Sequence, residues 1–281
     1  MKRKSLATEI LILGFSLIFL LPILILATGS FMGEDELSVY FCAVLGKGSG
    51  YISYPFLPEY PTLRAYVEVL LDTPEFFVMF WNTVKLTLGT LAGQLIVGTL
   101  AAWGFARYAF PLKRVLLWLY ILLMLMPFQV FMLSDYLALS QLGLLDKLTG
   151  IILLSSFSTL PVFIMQRFFS GIPDALLEAA RLDGAGELQL FFAIGIPLGK
   201  QGIFSAAVLG FLESWSMIEQ PLTFLKTRAK WPLSILLPEI TEGRVGFAFA
   251  VSVLTFLPAL LVFLFGQEYL EQGIMSSAIK E

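Results

Sequence analysis

Residues 171–197 read GIPDALLEAARLDGAGELQLFFAIGIP, a stretch flanked on both sides by long apolar runs. A segment so placed has to surface from the membrane, yet its pattern is not that of a solvated linker. Pro173 suits the first helical position, where a missing N–H costs nothing. Asp174 and Glu178 follow in the opening turns, where the helix dipole favours negative charge. Asp174, Glu178 and Arg181 share one stripe by helical spacing, with Ile172, Leu176, Ala179 and Ala180 expected to face away. Gly184, after Asp183, suits a φ above zero or a close approach, so the helix is expected to break there. A short second helix follows, and Pro197 is expected to open the next apolar run. The stretch thus predicts an amphipathic helix, a break and a second helix over about residues 172–190.

An interfacial helix that merely joins two spans would satisfy the same pattern. Two features argue for more. Ala179, Ala180, Gly184 and Ala185 leave much of the surface small, as if another body packs closely against it. Asp174 and Glu178 are like charges four apart, which costs about 0.2–0.5 kcal/mol unless the dipole or an outside cation offsets it.

Outward from this stretch, composition sets the class. With 58% hydrophobic and 14% charged residues and a mean hydropathy of +0.85, the chain is too apolar for a soluble domain of its length. Its uncharged runs approach the ~20 residues needed to cross the hydrocarbon, and they predict an all-α integral membrane protein of about six spans. The spans are expected near residues 10–27, 76–105, 115–133, 148–168, 196–212 and 247–265. The net charge of −3 says little, because placement of charge matters more than its sum. Histidine is absent and Cys42 is the single cysteine. Ser-His-Asp, Cys-His and His-metal chemistry are therefore excluded, and with them a Cys-rich metal site and an intrachain disulfide. An enzyme is the least supported class.

Lys2-Arg3-Lys4 before the first apolar run resembles a signal peptide, but that run exceeds the 7–15 residues of such a core. It is read as a retained first span with its basic end in the cytoplasm. Residues 28–75 form a long outer loop containing Cys42 and the acidic run Glu34-Asp35-Glu36. Gly46-Lys47-Gly48-Ser49 is not a phosphate loop, since Phe41 stands where the first Walker glycine belongs and Gly48 replaces the Ser/Thr. Gly89 and Gly93, then Gly98, Ala102 and Ala106, and later Gly202, Ala206 and Gly210, make rows of small residues that let helices approach closely in lipid. Arg107, Lys113 and Arg114 mark a cytoplasmic turn. Pro127 in the third span frees a backbone carbonyl, which is tolerated where a broken helix faces protein or a cavity. Asp135, Gln141, Asp146 and Lys147 are expected in a short outer connection. A second outer loop covers about 213–246, where Lys226, Arg228 and Lys230 run against the positive-inside rule. The tail covers about 267–281. Polar residues inside spans are functional candidates by default, which nominates Asn82, Gln94, Gln129 and Glu213 for a translocation path. Asn82 equally suits cross-linking helices, and Glu213 and Asp135 equally suit the interface.

Glu178-Ala179-Ala180, Asp183-Gly184-Ala185, Ile194 and Pro197-Leu198 resemble the EAA loop of binding-protein-dependent ABC importer permeases. One departure is Gln201, where that family often has a second proline. The resemblance continues through Phe56-Leu57-Pro58, Pro61-Thr62-Leu63 and Tyr66, through Trp81-Asn82, and through Ala101 to Arg107. It also covers Phe211 to Trp215 with Pro221-Leu222, although Ser216 replaces the usual Asn. It covers nearly the whole chain and is similar to the carbohydrate-uptake, maltose-like permeases. The implied fold is the type I ABC importer permease fold. The loop would be a cytoplasmic coupling helix docking into an ATPase cleft, with Glu178, Ala179, Ala180, Asp183, Gly184 and Ala185 as coupling residues. The implied assembly is a second permease, usually a different chain, two cytoplasmic ATPases and an extracytoplasmic solute-binding protein, in a bacterial or archaeal inner membrane with both termini cytoplasmic. Lipid surrounds it and nucleic acid has no place in it. The chain itself would bind no cofactor or metal, ATP and magnesium residing on the ATPases. The implied solute is a sugar or oligosaccharide. A phosphorylated polyol or polyamine is the alternative, and a self-contained secondary transporter a weaker one, since it would not need an exposed EAA helix.

Overall fold

A computed structural model describes residues 6–41, 54–236 and 244–278, with side chains over 9–41, 54–236 and 244–271. Lys2 to Lys4, Cys42 and the Gly46 to Ser49 run lie outside these, as do the side chains of most of the tail. The regular secondary structure of the described residues is all helical, as the apolar runs require. Among the described residues five helices are long and apolar enough to cross a membrane, or six if one sharply bent pair counts as a span.

Helix α1 (Leu6–Gly29) is the first of these, and α2 (Glu34–Tyr40) and α3 (Arg64–Val67, continuing as a wider turn to Asp72) give the expected outer loop a helical content. Helix α4 (Pro74–Arg107) has 34 residues, about 51 Å at 1.5 Å each, so it outruns a ~30 Å hydrocarbon core. The expected third span is not continuous. Lys113–Leu125 (α5) and Phe128–Gln141 (α6) meet at 102°. The cause is Pro127, which cannot donate into a helix and forces Met126 into extended backbone, ψ 132°. Asp135 and Gln141 consequently sit within α6 rather than in a connection.

The expected fourth span is also broken, into α7 (Leu148–Ser156) and α8 (Thr159–Ser170). Pro161 explains it: its ring would strike the carbonyl four residues back, at Phe157, so a new helix has to start around it. Helix α9 (Asp174–Leu182) is the surface helix of the decisive stretch. The short turn α10 (Glu187–Gln189) runs through a widened turn (Leu190–Gly195) directly into α11 (Ile196–Trp215). The fifth span therefore begins near Glu187, not at Pro197, which is accommodated in the first turn of α11. The loop after α11 holds α12 (Glu219–Phe224) and two tight 3₁₀ turns, and α13 (Val245–Ala278) runs on through most of the expected tail.

Contacts divide the chain into two compact units, Met1–Phe77 with Leu237–Pro258, and Val78–Leu236 with Ala259–Glu281. In the first, Met32, Leu37, Val245 and Phe249 form a small core. Glu34 Oε1 accepts from the Gly246 N–H at 2.8 Å, placing a carboxylate on the amino end of α13. Ser30 and Tyr66 hydroxyls meet at 2.7 Å. Much of α1 keeps its apolar side chains exposed, as a lipid-facing helix does.

In the second unit α8 and α11 pack closely, because Gly202 leaves room for Phe168 and a Cβ there would stand 2.6 Å from the ring. The small-residue row on α4 works the same way, with Gly89 against Ile152 and Gly98 against Met165. In lipid this close packing replaces the hydrophobic drive available in water. On one side Asn82 Nδ2 donates to the carbonyls of Ala229 at 2.8 Å and Trp231 at 3.1 Å. Asp146, at φ +56°, lies nearby in sequence to α7 and gathers the same loop. Its Oδ1 accepts from the N–H groups of Lys226 and Thr227, both at 2.9 Å. Its Oδ2 accepts from Thr227 Oγ1 at 2.6 Å and Lys230 Nζ at 2.7 Å. Lys230 is thus engaged locally, its ammonium also donating to the Asp146 carbonyl at 2.6 Å.

These donors, Lys230 foremost and Thr227 next, hold the Asp146 carboxyl well below the usual carboxylate range. A depressed pKa stabilises fully above the unfolded value of about 3.9 and fades only as pH falls through the folded one. The clamp is therefore expected to persist unchanged from pH 8 down to about pH 5. Asp146→Ala should open the 226–231 segment to limited proteolysis, with Asp146→Asn intermediate because Asn tolerates positive φ. Equal cleavage of wild type and Asp146→Ala would contradict the clamp.

Candidate functional site

The surface helix α9 is built as a fixed platform rather than a tether. Pro173, in extended backbone with ψ 133°, is its N-cap, so the helix begins at Asp174, one residue later than expected. At the other end Asp183 closes the helix and Gly184 takes φ +87°. The Gly184 N–H then donates to the Arg181 carbonyl at 3.0 Å, and the Ala185 N–H to Ala180 at 2.9 Å. These two bonds with a left-handed glycine define a Schellman cap, so the expected break has a specified geometry. Beyond it Gly186 N–H donates to Gln189 Oε1 at 3.0 Å, starting the next helix.

Two anchors hold α9 down. Leu177 and Ile172 are buried in one core with Ala102 and Trp103 of α4, Met165 and Phe169 of α8, and Leu190 and Phe191. Trp103 meets Phe169 edge-on, centroids 5.4 Å apart. Burying Leu177 at a water-facing surface is worth about 1.5–3 kcal/mol. The second anchor is Arg107, the last residue of α4, whose side chain is 6% exposed. Its Nη2 donates to the carbonyls of Phe169 and Ile172, and its Nη1 pairs with Asp174 at 2.8 Å. One guanidinium therefore satisfies the end of α8 and fixes the beginning of α9. A third link closes around the break: Glu187 accepts from Tyr108 at 2.8 Å and from Arg181 at 3.1 Å. The hydrogen bond to the Glu187 carboxylate raises the Arg181 pKa above its ordinary value.

The buried stripe of α9 differs from the expected one. It runs through Ile172, Leu177 and, partly, Ala180 and Ala185. Leu176 and Ala179 instead face out beside Glu178, Asp183 and Gly184. With both faces containing apolar residues, the Trp103–Phe169 core decided the rotation of the helix. The outer face so formed carries Leu176, Leu182 (89% exposed) and Leu188 among acidic Glu178 and Asp183. No ion pair among the described residues engages Glu178. Of the six sequence candidates, four lie on this outer face, and Ala180 and Ala185 turn inward. Sequence reasoning missed Arg107 as an anchor; its signal was a lone guanidinium ending a long apolar run.

A second feature lies among the helices of the same unit, a cavity of about 430 Å³ lined by both helix breaks. Met126 and Phe128 border it at the first, Phe157, Ser158 and Thr159 at the second. Irregular backbone at membrane depth is found where it lines a cavity, and residues of both breaks line this one. Gln94 and Glu213 line it together with Asp135, Ser155 and Gln220. Asn82 and Gln129 do not: Asn82 is spent on the loop after α11, and Gln129, exposed, donates to Glu219 at 2.8 Å. Ser155 and Gln220 escaped sequence reasoning, since a serine and a glutamine 65 residues apart carry no common spacing.

The described residues thus form an all-helical membrane protein with a capped amphipathic helix fixed to its core and a cavity at its helix breaks. The family described as binding-protein-dependent transport system inner membrane component matches residues 94–276, and the chain belongs to it. It is 28% identical over 277 residues to the arabinooligosaccharides transport system permease AraQ of Bacillus subtilis, covering 98% of this chain and 95% of that one. It is 32% identical over 228 residues to a probable ABC transporter permease of Pyrococcus horikoshii, covering 78% and 82%. The sn-glycerol-3-phosphate permease UgpE of Pectobacterium atrosepticum is 28% identical over 211 residues, covering 73% and 75%. In the crystal structure of a bacterial ABC transporter that imports the acidic polysaccharide alginate, one chain superposes with a TM-score of 0.78 at 22% identity, covering 94% and 95%. The all-α membrane architecture expected from the apolar runs, and the permease fold that the EAA-loop resemblance implied, are thus those of this family.

Proposed function

We propose that the chain is one permease half of an ATP-driven importer for a sugar or oligosaccharide, and that α9 couples it to an ATPase. The observation that carries this reading is the construction of α9: capped at Gly184, bolted to α4 through Arg107, and bearing an exposed Leu176–Glu178–Leu182–Asp183 face. A tether would need none of these. Throwing a two-state gate from 1:99 to 99:1 takes about 5.5 kcal/mol of differential contact. Only a stiff element can pass that from a partner into α4, α8 and α11.

In this reading ATP and magnesium sit on two cytoplasmic ATPase subunits, so hydrolysis is not this chain's chemistry. A second permease chain completes the translocation path, and an extracytoplasmic binding protein delivers the solute. The platform and both termini lie on the cytoplasmic side of the inner membrane. The arabinooligosaccharide relatives support the sugar, and the complex of the alginate importer with a pentasaccharide-bound periplasmic protein supports the binding-protein partner. The glycerol-phosphate relatives favour a phosphorylated polyol as the second reading.

Glu178 supplies the test. On a docked face it meets a cation of the ATPase, and reversing a partly buried pair costs about 3–5 kcal/mol, against up to ~1 kcal/mol for an exposed one. Glu178→Lys should insert normally but lose co-purification with the ATPase and stop uptake. Wild-type association and uptake would reduce Glu178 to a helix-dipole partner and remove the docking role of this face.

A further inference from the structure

Helix α4 grips α8 at both of its ends. At one end Arg107 donates to the carbonyl of Phe169, in the last turn of α8. At the other, Gln94 Nε2 donates at 3.1 Å to the carbonyl of Ser155, just before the break at which α8 starts. That carbonyl lies in the last turn of α7, where a helix leaves its acceptors without intrahelical partners, and it also accepts from the Ser158 N–H at 3.3 Å. Gln94 and Arg107 stand about 20 Å apart along one unbroken helix. Between them Gly98 admits Met165 of α8, whose sulfur accepts from the Thr99 hydroxyl at 3.3 Å.

The Gln94 amide is seated rather than loose. Gln94 is 3% exposed, and its Oε1 lies over Gly210 of α11, where a Cβ would stand 2.5 Å from it. The next atom such a Cβ would meet, Leu91 Cδ1, is at 3.4 Å, an ordinary contact. The space beside Gly210 is thus taken up by this amide, which glycine alone admits there. Apolar packing is non-directional and lets two helices slide, whereas a hydrogen bond loses strength steeply off its line. Gln94 and Arg107 therefore fix α8 along α4 in a way that Gly98 and Met165 alone do not.

We propose that Gln94 is a positioning residue for transport: with Arg107 it makes α4 and α8 one strut, so that a displacement of α9 is delivered to the second helix break rather than absorbed within α8. Phe157, Ser158 and Thr159 of that break line the cavity, so the strut joins the surface helix to the cavity wall. The proposal rests on the reading of the chain as a permease half whose α9 is moved by an ATPase.

The test uses the whole permease–ATPase complex in nanodiscs, in a Cys42→Ser background. Nitroxides go on Ala109→Cys, just past the Arg107 end, and on Phe157→Cys at the break, both exposed positions. Their separation is measured by pulsed electron spin resonance, nucleotide-free and after trapping with ATP and vanadate. With the strut intact the pair should keep one distance in both states, because its two ends move together. Gln94→Met, close in length but without an N–H, should make the distance differ between the states by at least about 1–2 Å, the scale of helix shifts in switching proteins. Gly210→Ala should do the same with Gln94 in place, since the new methyl takes the space of the amide. Gly104→Ala, on the same α4 with open space around its Cβ, should leave the distance fixed. Should Gln94→Met not assemble with the ATPases, Gly210→Ala decides alone. A nucleotide-dependent distance in the intact strut, a fixed distance in either variant, or a distribution broadened equally in both states would each overturn the proposal. If the ATPases are bound and trap nucleotide in those cases, the permease reading stands and only the strut fails. A chain that recruits no ATPase would instead sink the permease reading.

Discussion

Gly184→Val should insert into the membrane, pair with the second permease and yet fail to couple ATP hydrolysis to uptake. At φ +87° glycine is unstrained, whereas a left-handed L-residue costs about 1–2 kcal/mol and a β-branched one is a genuine outlier. Space is not the issue, since among the described residues a Cβ on Gly184 meets nothing within 4 Å beyond its chain neighbours. The strain is relieved by abandoning the cap, which breaks the bonds from Gly184 to Arg181 and from Ala185 to Ala180. Glu187 then leaves Arg181 and Tyr108, and the outer face of α9 loses its shape. Gly186→Val is the paired control: Gly186 lies in ordinary extended backbone, φ −77° and ψ 164°, with open space around it. It should retain at least about half of wild-type uptake. Gly184→Asn, which tolerates positive φ, should recover much of what valine loses. The measurement is solute-stimulated ATPase activity and uptake in reconstituted vesicles, and normal coupling by Gly184→Val would reject the cap as part of the mechanism.

Arg107→Lys should uncouple nearly as severely. One ammonium cannot span the carbonyls of Phe169 and Ile172 and the carboxylate of Asp174, as the planar guanidinium does. Each hydrogen bond to a charged donor is worth about 1.5–3 kcal/mol, so losing two loosens the α8–α9 corner by several kcal/mol. The expected signature is basal ATPase activity that no longer responds to loaded binding protein, with the ATPases still bound. Asp174→Asn should do little, because Asp174 is 82% exposed and such a pair is worth at most ~1 kcal/mol. If Asp174→Asn proves as damaging as Arg107→Lys, the ion pair rather than the carbonyl bonds holds the corner.

The two halves of this site were unequally visible. The Gly184 break follows from a glycine after Asp183 at the end of an amphipathic run, and the structure makes it a full Schellman cap. The rotation of α9 was not visible, because Leu176 and Leu177 offer two overlapping apolar stripes one residue apart. Choosing between them required the Trp103–Phe169 core. Likewise Pro127 announced a break at the third span, while Pro161 was passed over inside a run apolar enough to be read straight through. Gln94 and Glu213 stood out as polar residues in apolar surroundings. So did Asn82 and Gln129, and nothing in the spacing separated the pair at the cavity from the pair spent elsewhere.

The amino-acid sequence by itself determined the membrane class, the approximate spans, the amphipathic stretch with its break, and the absence of histidine or phosphate-loop chemistry. Each depends on local quantities: apolar length against bilayer thickness, a proline's missing N–H, a glycine's freedom at positive φ, the side chains present. Only the tertiary structure decided that Arg107 bolts α9 to α4, that α9 turns Leu177 inward and Leu176 out, and that Gln94, Asp135 and Glu213 share one cavity. Arg107 and Asp174 are 67 residues apart, and what such residues meet is set by helix rotation and close approach at positions such as Gly202, where packing against a neighbour, not spacing along the chain, selects the partner.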